Sequence, residues 1–227
     1  MKTIIGVIML IMMTTLSYAN DIYVTQSGNA LDLDITQDGE NNTVGNSTTA
    51  SASTGATTIL NIDQIGNSNV ITYQINGATY TGVINLVGSS NNVDLNCDST
   101  GGNSSCGTAN AVINFTGNSN DIDLDIGQTS SANTADVDIV GQSGSDSNVV
   151  AATVDGNSAV LTITVNGDTN NYLIDIDGNG DSVGHTLIHS HTGGIADVDI
   201  IQSGTNDNMI TLTTSGDNAD IDISQTD

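Results

Sequence analysis

From Asn20 onward the chain alternates apolar and polar residues in short stretches, each ending in Gly, Asn or Ser. Ile22-Tyr23-Val24-Thr25-Gln26 runs into Ser27-Gly28-Asn29, and Leu33-Asp34-Ile35-Thr36-Gln37 into Asp38-Gly39. The same arm returns at Leu60 to Gln64, Ile84 to Leu86, Val112 to Phe115, Val137 to Ile139, Leu161 to Val165, Val198 to Gln202 and Ile221 to Gln225. A period of two places Val, Ile and Leu on one face of a strand and Asp, Thr and Asn on the other. That alternation, with so many β-branched residues, glycines and asparagines, excludes helix. Gly and Asn tolerate positive φ and supply the corners between strands.

The unit recurs at a near-constant spacing: Gly66 to Gly88 is 22 residues and Gly144 to Gly167 is 23. An Asn follows most corners at short distance, at Asn42, Asn69, Asn91, Asn120, Asn148, Asn170 and Asn208. Two short strands cannot bury one apolar face alone. Successive units stacked in register can, with each backbone bonded to the units on either side. The predicted fold is therefore all-β: a β-solenoid of strand–turn–strand rungs over residues 20–227, with uncapped ends. Two longer intervals predict insertions, one near 97–106 and one near 178–195. A sandwich with hairpin turns does not require the same Gln-x-Gly and Asn in each unit.

Recurring amides and carboxylates carry the remaining chemistry. Gln26, Gln64, Gln142 and Gln202 are expected to form side-chain amide ladders along the stack, whereas the asparagines are read first as turn residues. Asp121, Asp123, Asp125, Asp175, Asp177, Asp197 and Asp199 fall on the outer, polar face. Stacked carboxylates about 4.8 Å apart repel one another. Their first reading is to keep the chain soluble until it assembles; the alternative is Ca²⁺ bound between rungs. Asp175-Ile-Asp177-Gly-Asn179-Gly180-Asp181 resembles the start of a Ca²⁺ loop, but its twelfth place is Thr186 rather than Glu. His185, His189 and His191 are the only histidines and are expected as exposed polar residues of an insertion, with a surface metal site as the alternative.

Charge and compartment narrow the function. Met1-Lys2-Thr3, the apolar run Ile4 to Leu16 and Ser17-Tyr18-Ala19 read as a signal peptide (residues 1–19) cut after Ala19. Lys2 is the only basic side chain, so its removal changes the formal charge from −25 to −26. A chain without Lys or Arg cannot neutralise phosphates, which excludes nucleic acid as a partner. The run in the leader is too short for a comfortable membrane span, and none is expected in the mature chain. Cys97 and Cys106 are expected to form a disulfide in an exported protein. No nucleophile motif such as Gly-x-Ser-x-Gly is present and aromatic platforms are scarce, so no enzyme activity is expected.

The segments Gln26-Ser27-Gly28-Asn29, Gln37-Asp38-Gly39, Gln64-Ile65-Gly66-Asn67 with Gln74, and Gln202-Ser203-Gly204 resemble the curlin family, the subunits of bacterial curli fibres. The closing triplet Ile223-Ser224-Gln225 is similar, and Gln142-Ser143-Gly144 carries the same corner. In several units the inner Gln place is filled by another residue, read as Val87, Thr116 or Val165. The resemblance implies a secreted β-solenoid that assembles end to end outside a bacterial cell, in biofilm matrix and adhesion. It also implies accessory proteins for secretion and nucleation, and no required cofactor. The alternative is a monomeric acidic solenoid with a Ca²⁺-dependent adhesive or ice-binding surface, hinted at by Thr162/Thr164 and Thr211/Thr213.

Overall fold

The computed structural model describes residues 20–39, 41–45, 51–66, 68–88, 90–97, 106–127, 134–142, 144, 146–155, 158–177, 185–203 and 208–226. Residues 1–19, the residues between Cys97 and Cys106, and 178–184 lie outside the described residues. So do Gly204 and the last residue.

All described regular structure is β, and every strand pairing is parallel. The chain winds as a solenoid whose strands form two facing stacks. One stack holds β3 (Ala30–Asp38), the second half of β5 (Ser51–Ile65) and the second half of β6 (Val70–Val87). It continues through β8 (Thr108–Thr116), β10 (Thr134–Gly141), β12 (Ser158–Asn166), β14 (Thr186–Thr192) and β16 (Met209–Ser215). The other begins with β1 (Asn20–Ile22) and β2 (Thr25–Ser27), then β4 (Asn42–Val44) with the first half of β5, then the first half of β6. It continues through β7 (Asn92–Cys97), β9 (Asp121–Gly127), β11 (Val149–Asp155), β13 (Asn170–Asp177), β15 (Ile195–Ser203) and β17 (Asn218–Thr226). Among the described residues no helix is long and apolar enough to cross a membrane.

The core lies between the stacks and is built from columns of like residues. Ile35, Ile62, Ile84, Ile113, Ile139 and Ile163 occupy one inward position, rung upon rung. Each is buried. Facing them, Val44, Ile71, Val93, Ile122 and Val150 make a second column. Alternation thus does what the sequence pattern predicts: the inward half is buried and mostly apolar and the outward half carries Asp, Asn and Thr.

Register corrects three expectations. The inner place after the Ile column is held by Gln37, Gln64, Leu86, Phe115, Gly141 and Val165 in successive rungs. Leu86 and Phe115 therefore fill it, not Val87 and Thr116, which point outward. Gln142 lies one residue beyond this place and is exposed, because Gly141 takes the inward position. A Cβ on Gly141 would come within 2.6 Å of the Phe115 ring and 2.9 Å of a Val165 methyl. The ring of one rung needs the vacancy of the next. Finally, residues 186–195 are not an insertion: β14 stacks in register between β12 and β16.

Candidate functional site: buried amide ladder and open terminal rung

At the corner leading into the second stack, one Asn from each of six rungs is buried: Asn42, Asn69, Asn91, Asn120, Asn148 and Asn170. Side-chain amides of five of them join end to end. Asn69 Nδ2 donates to Asn91 Oδ1 at 2.8 Å, and Asn91 to Asn120 at 2.6 Å. Asn120 donates to Asn148 at 2.7 Å and Asn148 to Asn170 at 2.8 Å. The acceptor oxygens also take backbone N–H groups: Asn120 N donates to Asn148 Oδ1 at 3.2 Å and Asn148 N to Asn170 Oδ1 at 3.1 Å. Spare amide hydrogens reach corner carbonyls, as from Asn120 to Gly117 O at 2.6 Å and from Asn170 to Gly167 O at 2.7 Å. The residue before the ladder Asn is left-handed in three rungs, with φ of 59° at Ser119, 57° at Ser147 and 59° at Thr169. Asparagine is thus corner and ladder at once. Asn208 stands apart; its Oδ1 accepts from the backbone N–H of His185 at 3.3 Å.

The glutamines do something different. Gln64 Nε2 donates to Gln37 Oε1 at 2.6 Å, the one expected Gln ladder step between described inner glutamines. Gln202, also fully buried, donates instead across the coil to His185 O at 3.2 Å, and Gln225 repeats this on Asn208 O at 2.8 Å. These amides brace one stack against the other. Gln26 donates to Ala30 O at 3.3 Å near the first corner, and Gln74 points outward. Gly28, Gly39, Gly66 and Gly144 sit at corners, and a side chain on Gly66 would collide with the carbonyl of Gly39 in the rung beside it. Cys97 and Cys106 are both buried and disulfide-bonded, with Cα atoms 5.8 Å apart.

Outer carboxylates are relieved by amides of the neighbouring rung. Asn61 Nδ2 donates to Asp34 at 2.8 Å, Asn85 to Asp63 at 2.6 Å and Asn96 to Asp125 at 3.1 Å. Asn92 donates to Asp121 at 3.4 Å. Elsewhere Asp faces Asp: Asp94 beside Asp123, Asp197 beside Asp220, Asp199 beside Asp222. Partial burial raises the pKa of Asp123, and the charges of Asp94 and Asp121 add to the effect. Asp175 and Asp177 lie on β13, and the remainder of the Ca²⁺-like loop falls outside the described residues. Among the described residues no group of three or more His, Cys, Asp or Glu is arranged to hold a metal ion.

The histidines overturn their expectation most clearly. His185, His189 and His191 are buried inside the coil. His191 Nδ1 lies 3.0 Å from the Tyr172 hydroxyl and 3.4 Å from Asn170 Nδ2, the end of the amide ladder. The His189 ring packs edge-on to Tyr172 with centroids 4.3 Å apart. Spacing alone had put these residues in an insertion; strand register puts them in the core.

Among the described residues, the inward face of the last rung is exposed. β17 pairs only with β15, and β16 only with β14, among the described residues. Ile221 and Ile223, inward by register, remain 37% and 48% exposed, against 0% and 1% for Val198 and Ile200 one rung below. No family model, no curated protein and no solved structure matches the chain.

Proposed function

We propose that this protein is a secreted structural subunit that stacks end to end into extracellular fibres, as its resemblance to the curlin family implies. The observation that carries this reading is the open terminal rung and its match to the first one. β17 offers Ile221, Ile223 and Gln225 inward; β1 and β2, with the residues between them, carry Ile22, Val24 and Gln26 in the same places of the same stack. The facing stack holds one strand fewer, so in this register β16, with Ile210, Leu212 and Thr214 inward, stands one strand's space from the next copy's β3, and the joint is made by β17 on β1 and β2. A second copy set on the first in that register places Ile22 on Ile221, Val24 on Ile223 and Gln26 on Gln225. Apolar groups meet apolar groups, and the amide column formed by Gln202 and Gln225 continues into Gln26. Edge N–H and C=O groups find partners in the next copy, as in any cross-β stack. Such a contact is heterologous and does not close on itself, so it propagates as a filament.

The acidic outer face sets the conditions of growth. A mature formal charge of −26 keeps free subunits apart. Salt screens that repulsion over about 8–10 Å, so growth accelerates with ionic strength. The test is a pair of variants read by electron microscopy and light scattering. Ile221→Lys with Ile223→Lys buries two charges in the joint and is expected to abolish filaments while leaving the monomer folded. Asp220→Asn with Asp222→Asn alters only the outer face and is expected to preserve or speed growth. Normal filaments from the lysine variant refute the joint.

A further inference from the structure

In the two facing columns of Ile and Val described above, one rung carries ring side chains on both sides. In the column that carries Ile35, Ile62, Ile84, Ile113, Ile139 and Ile163, the next residue is His189, and Leu212 follows it. In the facing column of Ile and Val, the residue opposite is Tyr172, followed by Val198. His191 succeeds Val165 in the column beside His189. The imidazoles are thus built into the interior of β14, directly beneath β16, the strand that leads into the joint-bearing β17.

We propose that this polar rung makes the joint-bearing end of the solenoid sensitive to acid: protonation of the buried imidazoles opens β14 and releases β16 and β17. The proposal deepens the filament reading by naming its regulation, and rests on that reading only for the effect on assembly. His189 is completely buried, and neither ring nitrogen has a hydrogen-bond partner. A charged imidazolium there has no protein acceptor. The groups around it offer no compensation. β14 itself contributes His191, with His185 just before it. From β13 comes the Tyr172 hydroxyl, already beside His191 at 3.0 Å. β12 contributes Ile163 and Val165, β16 contributes Leu212 and Thr214, and β15 presents Val198, Ile200 and Gln202, all uncharged. Asp168, exposed at the corner before β13, draws the His191 pKa upward without reversing the effect of burial. Burial, with the neighbouring His191, lowers the His189 pKa to about 4 from its ordinary 6.5.

The sign follows from linkage. Above about pH 6.5 the imidazoles are neutral in the closed and open states alike, and nothing is lost. Below it the open state takes up protons first, so closure weakens progressively until the buried group itself titrates near pH 4. At pH 4.5 this favours opening by roughly fifty- to a hundredfold at His189 alone. Asp123 works in the opposite direction, since its raised pKa makes protonation favour the folded chain. The histidine effect is therefore isolated by comparison with a variant.

The experiment is hydrogen exchange read by mass spectrometry on the full chain at pH 7.5 and 4.5, corrected for intrinsic exchange, in the native protein and in His189→Ile. Isoleucine restores the residue type of the column. The native chain is expected to lose protection over β14, β16 and β17 by tens of fold at pH 4.5 while β8 and β10 hold; the variant keeps protection throughout. Equal profiles for the two proteins overturn the proposal. If the variant fails to fold, NMR titration of the three imidazoles in the native chain decides. A His189 that titrates near 6.5 without loss of protection also overturns it, and one that titrates only as β14 opens supports it. Filament growth is measured alongside. A chain that forms no filaments at any pH refutes the functional reading, and the exchange result still decides the acid response.

Discussion

Phe115, the single phenylalanine of the chain, shows how tightly one residue constrains its neighbours along the stack. Its ring occupies the inner place of its rung, and Gly141 occupies that place in the next. Gly141→Val forces a branched side chain into a position where even a Cβ meets the ring at 2.6 Å. Overpacking of this kind costs about 1–3 kcal/mol. Urea denaturation is expected to show that loss, and Phe115→Leu in the same chain to recover a large part of it. Two residues in contact couple, so the double variant is less unstable than the single losses add up to. Ring-and-vacancy pairing was not legible in the sequence. Gln142-Ser143-Gly144 reads as the same corner as its counterparts, with Gln142 in the inner place, and only the partner strands show that Gly141 points inward instead.

Among the elements, the strands were the most legible part of the molecule. Alternation of Leu33, Ile35 and Gln37, or of Val198, Ile200 and Gln202, specifies both the strand and its buried face, since a slip of one residue exposes every apolar group. The corners were half legible. Asparagine suits a turn, and that reading hid its second role, because turn propensity and ladder formation call for the same residue. Asn120 sits in the middle of the ladder, giving one amide bond to Asn148 and receiving another from Asn91. Asn120→Ala leaves Asn91 Nδ2 and the Gly117 carbonyl without that partner in a buried site. The expected loss is about 2–3 kcal/mol, since the unmet groups carry their desolvation cost. Asn92→Ala, which removes only an exposed bond to Asp121 at 3.4 Å, is expected to cost less than about 0.5 kcal/mol. Equilibrium denaturation of the two variants separates a structural ladder from a row of turn residues. β14 was the least legible strand. His189 and His191 read as polar, while register makes them successors of Ile163 and Val165.

For the whole molecule, the ordering of rungs matters more than any side chain. Each rung is bonded to its neighbours by parallel backbone pairing, and stability accrues rung by rung as in other repeat folds. A rung with only one neighbour retains apolar surface, which is what Ile221 and Ile223 display. The inner residues of the first and last rungs repeat the same order of apolar, apolar and Gln, at Ile22, Val24, Gln26 and at Ile221, Ile223, Gln225. Between them the Gln column holds Ser53, Ile75, Cys97, Ile126, Val154 and Ile176 before Gln202 restores it. Amides thus stand at both ends of the column, with Ser53 next to Gln26 and apolar residues over the middle rungs. The most direct measurement is an electron cryo-microscopy reconstruction of the protein incubated at neutral pH in moderate salt. The account predicts a filament in which the stack that ends in β17 continues at about 4.8 Å per strand into β1 and β2 of the next copy, with Gln26 of one copy over Gln225 of the next. Discrete particles of one chain each, or filaments joined through any other surface, contradict it.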